Sequence, residues 1–197
     1  MKLVIASNNM HKVEEIKSIL AGKFEAIYSL GEMGIDIDVV EDGVTFAENA
    51  AKKAHEILAV SPGDCAVIAD DSGLEVDALG GAPGVYSARF AGEGHDDKLN
   101  NKKLLTLLDG LEFEKRTGRF VCAMVLAARG REDIVSLGIA DGKILTAEKG
   151  MGGFGYDPLF LYEPLSKTFA ELSADEKNAI SHRRKALEGI LEKLANI

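Results

Sequence analysis

One stretch of this chain joins an apolar run, an acidic pair and many glycines, and it constrains the fold more than any other feature. Residues 65–69 read CAVIA, Asp70 and Asp71 follow directly, and residues 72–92 contain five glycines and one proline. The apolar run predicts a buried strand that ends in the two carboxylates. Glycine and proline then fix a tight path for the loop behind it. Because burying carboxylates without a cation is expensive, the stretch predicts a functional site at a strand end.

A second acidic motif, Glu41-Asp42-Gly43, follows the alternating residues 35–41, which predict a strand ending near Glu41. Lys53 lies about two turns into the helix that comes next. Carboxylates at several strand ends can converge on one edge of a sheet, and Mg²⁺ prefers such oxygen ligands. A helix cap or a solvated turn is the alternative interpretation of these acidic residues.

The order of the predicted elements indicates an α/β fold. The predicted strands cover residues 2–7, 35–41, 65–70, 119–130 and 133–140, and the predicted helices cover residues 11–22, 45–60, 99–111 and 181–194. We expect Gly22 to end the first helix, Thr45 to open a T-x-x-E capping box, Asp141-Gly142 to form a hairpin turn and Ser181 to cap the last helix. Helices alternate with strands early and hairpin-like strands fill the middle, which is typical of a mixed sheet. No linker or repeat divides the sequence, so we predict a single domain over residues 1–197.

The polar residues 7–12, SNNMHK, link the first predicted strand to the first predicted helix. Backbone N–H groups at a helix start, with Lys12 close by, can hold an anion. The G-x-x-x-x-G-K-[ST] pattern of a Walker loop is absent. The alternative is an ordinary polar turn with an asparagine in the cap.

Two further clusters combine aromatic rings with hydrogen-bonding groups. Residues 154–158, FGYDP, place two aromatics and a carboxylate in a tight loop, which suits stacking on a base and accepting its N–H groups. Residues 177–178 and 181–183 add donors before and within the last helix. Hydrophobic anchoring of the loop and a solvated charge run are the respective alternatives. Together, the clusters contain what hydrolysis of a nucleoside triphosphate needs.

Composition limits the partners and the compartment. The formal net charge of −9 argues against non-specific binding to nucleic acid, which requires a basic face. No apolar run approaches the roughly 20 residues of a membrane span, and residues 1–9 turn polar too soon for a signal peptide. Cys65 and Cys122 lack metal-site spacing, which predicts reduced thiols in the core. We therefore expect a cytoplasmic protein without a nucleic-acid or membrane partner.

Five stretches match one known family: SNNMHK, EDGVTFAENAAKKA, ADDSGLEVDALGGAPGVYSARFAG, GGFGYDPLF and ELSADEKNAISHRRKAL. They run from residue 7 to 187, and the third and fifth are long and nearly free of departures. Asn8 is one departure, because many relatives carry glycine there. The chain resembles the inosine triphosphate pyrophosphatase family, also described as dITP/XTP pyrophosphatases or non-standard purine NTP pyrophosphatases.

The resemblance implies a long mixed β-sheet flanked by helices, two lobes with an active-site cleft between them, and a homodimer. It also implies Mg²⁺-dependent hydrolysis of ITP, dITP and XTP to the monophosphate plus pyrophosphate. That reaction would remove deaminated purines from the nucleotide pool before polymerases use them. The loop at residues 80–91 is a candidate dimer contact.

The resemblance further implies roles for single residues. Asp71 would be the general base with Asp70 beside it, and Glu41 and Asp71 would bind Mg²⁺. The phosphates would be held by Ser7, Asn8, Asn9, Met10, His11, Lys12 and Lys53, and Ser72 would touch the substrate. The base would be enclosed and read by Phe154, Gly155, Tyr156, Asp157, Lys177, His182 and Arg183.

Three other functions stay open from the sequence. The same residues would also serve a nucleotide sensor that binds a triphosphate without cleaving it. A related pyrophosphatase would act instead on modified pyrimidine triphosphates. An acidic structural protein is the third possibility, and the site-like loops argue against it.

Overall fold

A mixed β-sheet organises the chain in the computed structural model, which describes residues 2–196. Its strands are β1 Lys2–Ile5, β2 Ala26–Ser29, β3 Cys65–Val76, β4 Thr117–Ala127, β5 Ile134–Ile144, β6 Phe160–Tyr162 and β7 Lys167–Thr168. They form one seven-stranded sheet in the order β2-β1-β3-β4-β5-β6-β7. β1 runs parallel to β2 and β3, whereas β6 runs antiparallel to β5 and β7. The predicted α/β fold with a long mixed sheet is therefore confirmed.

The helices begin at polar caps that the sequence anticipates only in part. They are α1 Met10–Ile19, α2 Phe46–Val60, α3 Asp97–Leu107, α4 Ala174–Ile180 and α5 His182–Ala195. At the start of α2, Thr45 Oγ1 accepts from the Glu48 N–H at 3.1 Å, but Glu48 Oε2 accepts from the Val44 N–H rather than from that of Thr45. The capping box predicted there is thus half formed. Gly22 adopts a left-handed φ of 74° in the turn that follows α1, two residues beyond the Leu20 cap.

The sequence analysis missed β2, β6, β7 and α4 and misplaced the ends of α3. Asp96 Oδ1 accepts from the backbone N–H groups of Lys98 and Leu99, so α3 begins before residue 99. The helix ends at Leu107, and Gly110 takes a left-handed φ of 71° in the turn behind it. These shifts are set by the caps, which the apolar spacing alone does not reveal.

The chain divides into two compact units, each with its own core. Unit 1 comprises residues 1–71, 122–138 and 183–197, and unit 2 comprises residues 72–121 and 139–182. In unit 1, apolar side chains of α1 and α5 pack with those of β1, β3 and β4, including Ile16, Leu187 and Ile68. In unit 2, Phe120, Phe160 and Phe169 form an aromatic centre with ring centroids 4.6–5.6 Å apart. A single domain over residues 1–197 stays a prediction.

The predicted strand at residues 35–41 is wrong. This segment has no strand pairing, and its side chains alternate between half-buried and exposed without any becoming fully buried. An alternating pattern favours an extended backbone, but a strand also needs a neighbour to pair its N–H and C=O groups. The segment is therefore irregular, and it leads Glu41 towards the start of α2.

The predicted end of a strand at the acidic pair is also wrong. β3 continues through Asp70 and Asp71 as far as Val76. Leu74 and Val76 are buried in the core of unit 2, so the alternating apolar pattern resumes beyond the charges. The two carboxylates consequently lie within a continuous strand, and their side chains point to opposite faces of the sheet.

The predicted hairpin turn at Asp141-Gly142 is wrong as well, because both residues lie inside β5. Gly142 is required by the close approach of β6. A Cβ atom at residue 142 would lie 2.4 Å from the carbonyl oxygen of Leu161 and 2.7 Å from the ring of Phe160. The sequence signal for a turn is in fact a signal for close packing of backbone against backbone.

We expect Gly142→Ala to lower the free energy of unfolding by about 1–3 kcal/mol, because the added methyl group must displace the backbone of β6. Urea denaturation monitored by circular dichroism measures the change. Gly63→Ala is the matched control, since a Cβ atom there meets nothing within 4 Å. Equal stability of the two variants would contradict this account of Gly142.

Two smaller expectations concern cysteines and membranes. Cys65 and Cys122 are both free and buried, as predicted. None of the helices within residues 2–196 combines the length and the apolar character that crossing a lipid bilayer demands.

Candidate active site

Asp70 is a buried carboxylate held by cations from two helices. Its Oδ2 atom lies 3.0 Å from Lys12 Nζ of α1 and 3.6 Å from Arg183 Nε of α5, and the residue is only 1% exposed. Burial opposes the charged form, but the charges of Lys12, Arg183 and Lys53 outweigh it and hold the pKa of Asp70 well below its usual value. Asp70 therefore stays ionised and orders the cations around it.

Asp71, the next residue, has the opposite electrostatic environment. It is 6% exposed, and its Oδ2 accepts a hydrogen bond from Asn49 Nδ2 of α2 at 3.0 Å. Burial and the nearby charge of Glu41 raise the pKa of Asp71 to about 6. Two adjacent carboxyl groups with pKa values driven apart are the arrangement expected of one fixed charge and one group that exchanges a proton.

Glu41 reaches this site from the extended segment before α2. It forms an ion pair with Lys53, and its charge is felt by Asp71. Burial works against the charged form of Lys53, yet the carboxylates of Asp70, Glu41 and Asp71 together raise its pKa. Unit 1 thus gathers three carboxylates and two lysines from β3, α1, α2 and the 41–43 segment.

Asn49 connects the two acidic motifs, and the sequence analysis missed it. Its Oδ1 accepts from the Gly43 N–H at 2.7 Å while its Nδ2 donates to Asp71. A Cβ atom at residue 43 would lie 2.7 Å from that Oδ1, so Gly43 is needed for the close approach. The available signal was a polar residue three positions after Phe46, on the apolar side of the helix.

The 7–12 segment combines a polar turn with the lysine that pairs with Asp70. Asn9 Oδ1 accepts from the Lys12 N–H and caps α1, as the alternative interpretation expected. Ser7 Oγ accepts from the Asn9 N–H, whereas Asn8, Met10 and His11 are exposed. Within unit 1, the segment therefore supplies backbone N–H groups at a helix start beside the Lys12–Asp70 pair.

In unit 2, the predicted loop at residues 154–157 is fixed by a buried ion pair. Asp157 Oδ2 accepts from Lys177 Nζ at 2.7 Å and from the Phe154 N–H at 2.9 Å. Lys177 Nζ also lies 4.6 Å from the centroid of the half-buried Phe154 ring. Gly153 is required here, because a Cβ atom would lie 2.1 Å from Asp157 Oδ2. Phe154, Asp157 and Lys177 are thus brought together.

Tyr156 and His182 lie deeper in unit 2 than the predicted roles suggest. Tyr156 is part of the core, and its hydroxyl donates to the Ser87 carbonyl oxygen at 2.7 Å. This contact matches the alternative interpretation of a loop anchor. The buried His182 ring stacks on Phe120 with centroids 4.8 Å apart. Ser72 is half-buried in β3 directly after Asp71.

Arg183 is grouped by the structure with the acidic site of unit 1. It is buried at the start of α5, where it pairs with Glu15 as well as with Asp70. Those carboxylates raise its pKa although burial opposes the charge. Arg183 therefore orients Asp70 whatever else it contacts.

Comparison with known proteins identifies a family and near-complete relatives. The family model described as the Ham1 family matches residues 3–193. A dITP/XTP pyrophosphatase of Clostridium perfringens is 53% identical over 200 residues, which cover 100% of this chain and 98% of that protein. A protein of the same name from Desulforamulus reducens is 52% identical over 192 residues, covering 98% and 94%.

A solved structure gives the same result for the fold. The Ham1 protein of Staphylococcus aureus superposes with a TM-score of 0.87 at 42% identity, covering 100% of this chain and 99% of that one. Together with the family model and the near-complete relatives, this similarity confirms the resemblance stated from the sequence: the chain belongs to the Ham1 family.

Proposed function

We propose that this chain hydrolyses dITP, ITP and XTP to the nucleoside monophosphate plus pyrophosphate, and so removes deaminated purines from the nucleotide pool. Relatives about half identical over nearly the whole chain carry the name dITP/XTP pyrophosphatase. The observation that carries the proposal is the acidic pair of unit 1. Burial and the nearby charge of Glu41 raise the pKa of Asp71 to about 6, and Lys12 and Lys53 lie beside these carboxylates.

We propose Mg²⁺ as the cofactor, bound by Glu41 and Asp71. Two carboxylates that repel each other are stabilised by a shared cation, and oxygen ligands completed by water suit Mg²⁺. Within residues 2–196, no cluster of three or more His, Cys, Asp or Glu side chains has the arrangement of a metal site. When bound, the ion would neutralise phosphate charge and make the attacked phosphorus more electrophilic.

The side chains of unit 1 supply the remaining chemistry. Ionised Asp71 accepts a proton from a water molecule, whose oxygen forms a bond to the α-phosphorus as the bond to the pyrophosphate oxygen breaks. Lys12 and Lys53 balance the charge of the leaving pyrophosphate. Asp70, fixed by Lys12 and Arg183, keeps one lysine in place and stays ionised throughout.

We propose that the base is recognised in unit 2 by residues 154–157 with Lys177 and His182. Hypoxanthine and xanthine present a 6-oxo acceptor, whereas adenine presents an amino donor at the same position. Side-chain donors pair with the first and would be left unpaired by the second, which costs affinity when they are buried. We therefore expect ITP to be preferred strongly over ATP.

Homodimerisation and a cytoplasmic location belong to the same proposal. The nucleotide pool to be cleansed is cytoplasmic, and both cysteines are free thiols. The loop at residues 80–91 is the proposed contact between copies. Light scattering at micromolar concentration should give a mass of twice 21.1 kDa, and a single mass of 21.1 kDa would contradict the dimer.

A nucleotide panel tests the proposed function. Purified protein is incubated with ITP, dITP, XTP, GTP, ATP and modified pyrimidine triphosphates, with and without Mg²⁺, and pyrophosphate and orthophosphate are quantified separately. We expect pyrophosphate alone, with Mg²⁺, from the deaminated purines. Binding without cleavage would favour a sensor, and preferential cleavage of pyrimidines would favour the related pyrophosphatase.

A further inference from the structure

Two side chains near the start of α3 hydrogen-bond to the backbone of the loop at residues 154–157, which is proposed to bind the base. They contact both the N–H and the carbonyl oxygen of a single residue, Gly155. The Gly155 N–H donates to Asp97 Oδ2 at 2.8 Å, and the Gly155 carbonyl oxygen accepts from Asn101 Nδ2 at 3.2 Å. Asp97 and Asn101 are four residues apart and therefore lie on the same face of the helix. All of these contacts lie within unit 2.

Gly155 is the residue of this loop where such anchoring matters most. It takes a left-handed φ of 60°, which residues other than glycine rarely adopt. It is followed by Tyr156, whose hydroxyl is bonded to Ser87, and preceded by Phe154, whose N–H is bonded to Asp157. The position of the Phe154 ring therefore depends on where the backbone of Gly155 is held.

The side chain of Asn101 is directed to the Gly155 carbonyl oxygen rather than to solvent. It is 3% exposed, and its Nδ2 is shared between the Gly155 carbonyl oxygen and Glu148 Oε1 at 2.9 Å. The neighbouring Asn100, also buried, accepts from the Ala91 N–H and donates to the Ala88 carbonyl oxygen. Consecutive asparagines of α3 thus fix two loops, and the Tyr156–Ser87 bond joins those loops to each other.

We propose that Asp97 and Asn101 are positioning residues that hold Gly155, and thereby Phe154, in the geometry that binds the purine base; this inference rests on the proposed function. An acidic residue in the first turn of a helix is common, because it interacts favourably with the helix dipole. That ordinary role would affect stability slightly and would leave nucleotide affinity unchanged. The two roles are therefore separable by experiment.

Asp97 provides the cleaner test because it is exposed and its replacement leaves the core intact. For Asp97→Ala we expect the KM for ITP and the dissociation constant of IMP to rise about tenfold, with kcat changed less than twofold, since a positioning contact acts equally on the ground and transition states. Asp97→Asn keeps an oxygen that accepts the Gly155 N–H and should restore most of the affinity. Glu93→Ala removes an exposed carboxylate from the segment just before α3 and should behave as wild type.

Asn101→Leu is the second variant, because leucine has a similar volume but cannot donate to Gly155. It should raise the dissociation constant of IMP at least as much as Asp97→Ala, as measured by calorimetry without Mg²⁺. Unchanged IMP affinity in Asp97→Ala would overturn the positioning role. An equal loss of IMP affinity in Asp97→Ala and Asp97→Asn would overturn it as well. Failure of the wild-type protein to cleave ITP would instead overturn the proposed function, so the two failures are distinguishable.

Discussion

Replacing Asp71 by asparagine should reduce kcat for ITP by about 10²–10⁴, because the side chain can no longer accept the proton of the attacking water. Asparagine keeps the shape, and its oxygen can still accept the hydrogen bond from Asn49. IMP should still bind, since the base-binding and lysine side chains are unchanged. Steady-state release of pyrophosphate and calorimetric binding of IMP measure the two quantities.

The pH dependence of the wild-type protein tests the same assignment. With a pKa of about 6, Asp71 is ionised at neutral pH and becomes protonated as the pH falls. The value of kcat/KM measured with Mg²⁺ should therefore decline on the acid side, in a limb that lies below pH 6 because a cation bound by Asp71 lowers its pKa. Asp71→Asn should lack the limb. Asp42→Asn, which changes an exposed carboxylate paired with Lys52, should retain both the rate and the limb.

As the pH rises through the pKa of Asp71, the stability of the folded protein should fall while its activity rises. The pKa of Asp71 is raised from 3.8 to about 6 in the folded protein, so between these values the folded state holds a proton that the unfolded state has released. Stability is then lost as the pH rises through this window. In metal-free protein at pH 8, Asp71→Asn should be more stable than wild type by about 3 kcal/mol, and most of this gain should be lost at pH 4. If Asp71→Asn kept full turnover and had the same stability as wild type, the assignment of Asp71 as the general base would be refuted.

The elements that local patterns specify were the ones predicted correctly. Val13 and Ile16 of α1, and Leu187 and Ile190 of α5, recur at helical spacing and are buried in one core. Errors arose where a local pattern has two physical causes. Gly142 after an aspartate is typical of a turn, but glycine also serves where another strand approaches closely, and the start of that strand, β6, lay in a stretch predicted as a loop.

The sequence predicted residues of the candidate site but not the hydrogen bonds that connect them. The sequence pointed to Glu41, Asp71, Lys12 and Lys53, yet the side chain that joins Gly43 to Asp71 was overlooked. Asn49 and Asn101 are polar residues buried on helix faces, and their partners are remote in sequence. Local patterning cannot identify such partners, because hydrogen-bond satisfaction is a property of the folded chain.

The clearest stability effect should come from the buried pair of Asp157 and Lys177 in unit 2. Their side chains are 4% and 7% exposed, and the Nζ–Oδ2 distance is 2.7 Å. Removing one partner of a buried pair leaves an uncompensated charge, which typically costs about 3–5 kcal/mol. Asp157→Ala should therefore lower the free energy of unfolding by about that amount, as measured by urea denaturation.

A compensating variant separates loss of the charge partner from loss of the loop contact. In Asp157→Ala/Lys177→Met no charge is left buried, so the double variant should recover stability relative to Asp157→Ala alone. It should not recover IMP affinity, because the Phe154 N–H still lacks its acceptor. Glu112→Ala breaks an exposed pair with Lys115 and should cost less than about 1 kcal/mol. If Asp157→Ala and Glu112→Ala cost the same, the buried pair does not fix the loop, and the base must be held by other contacts.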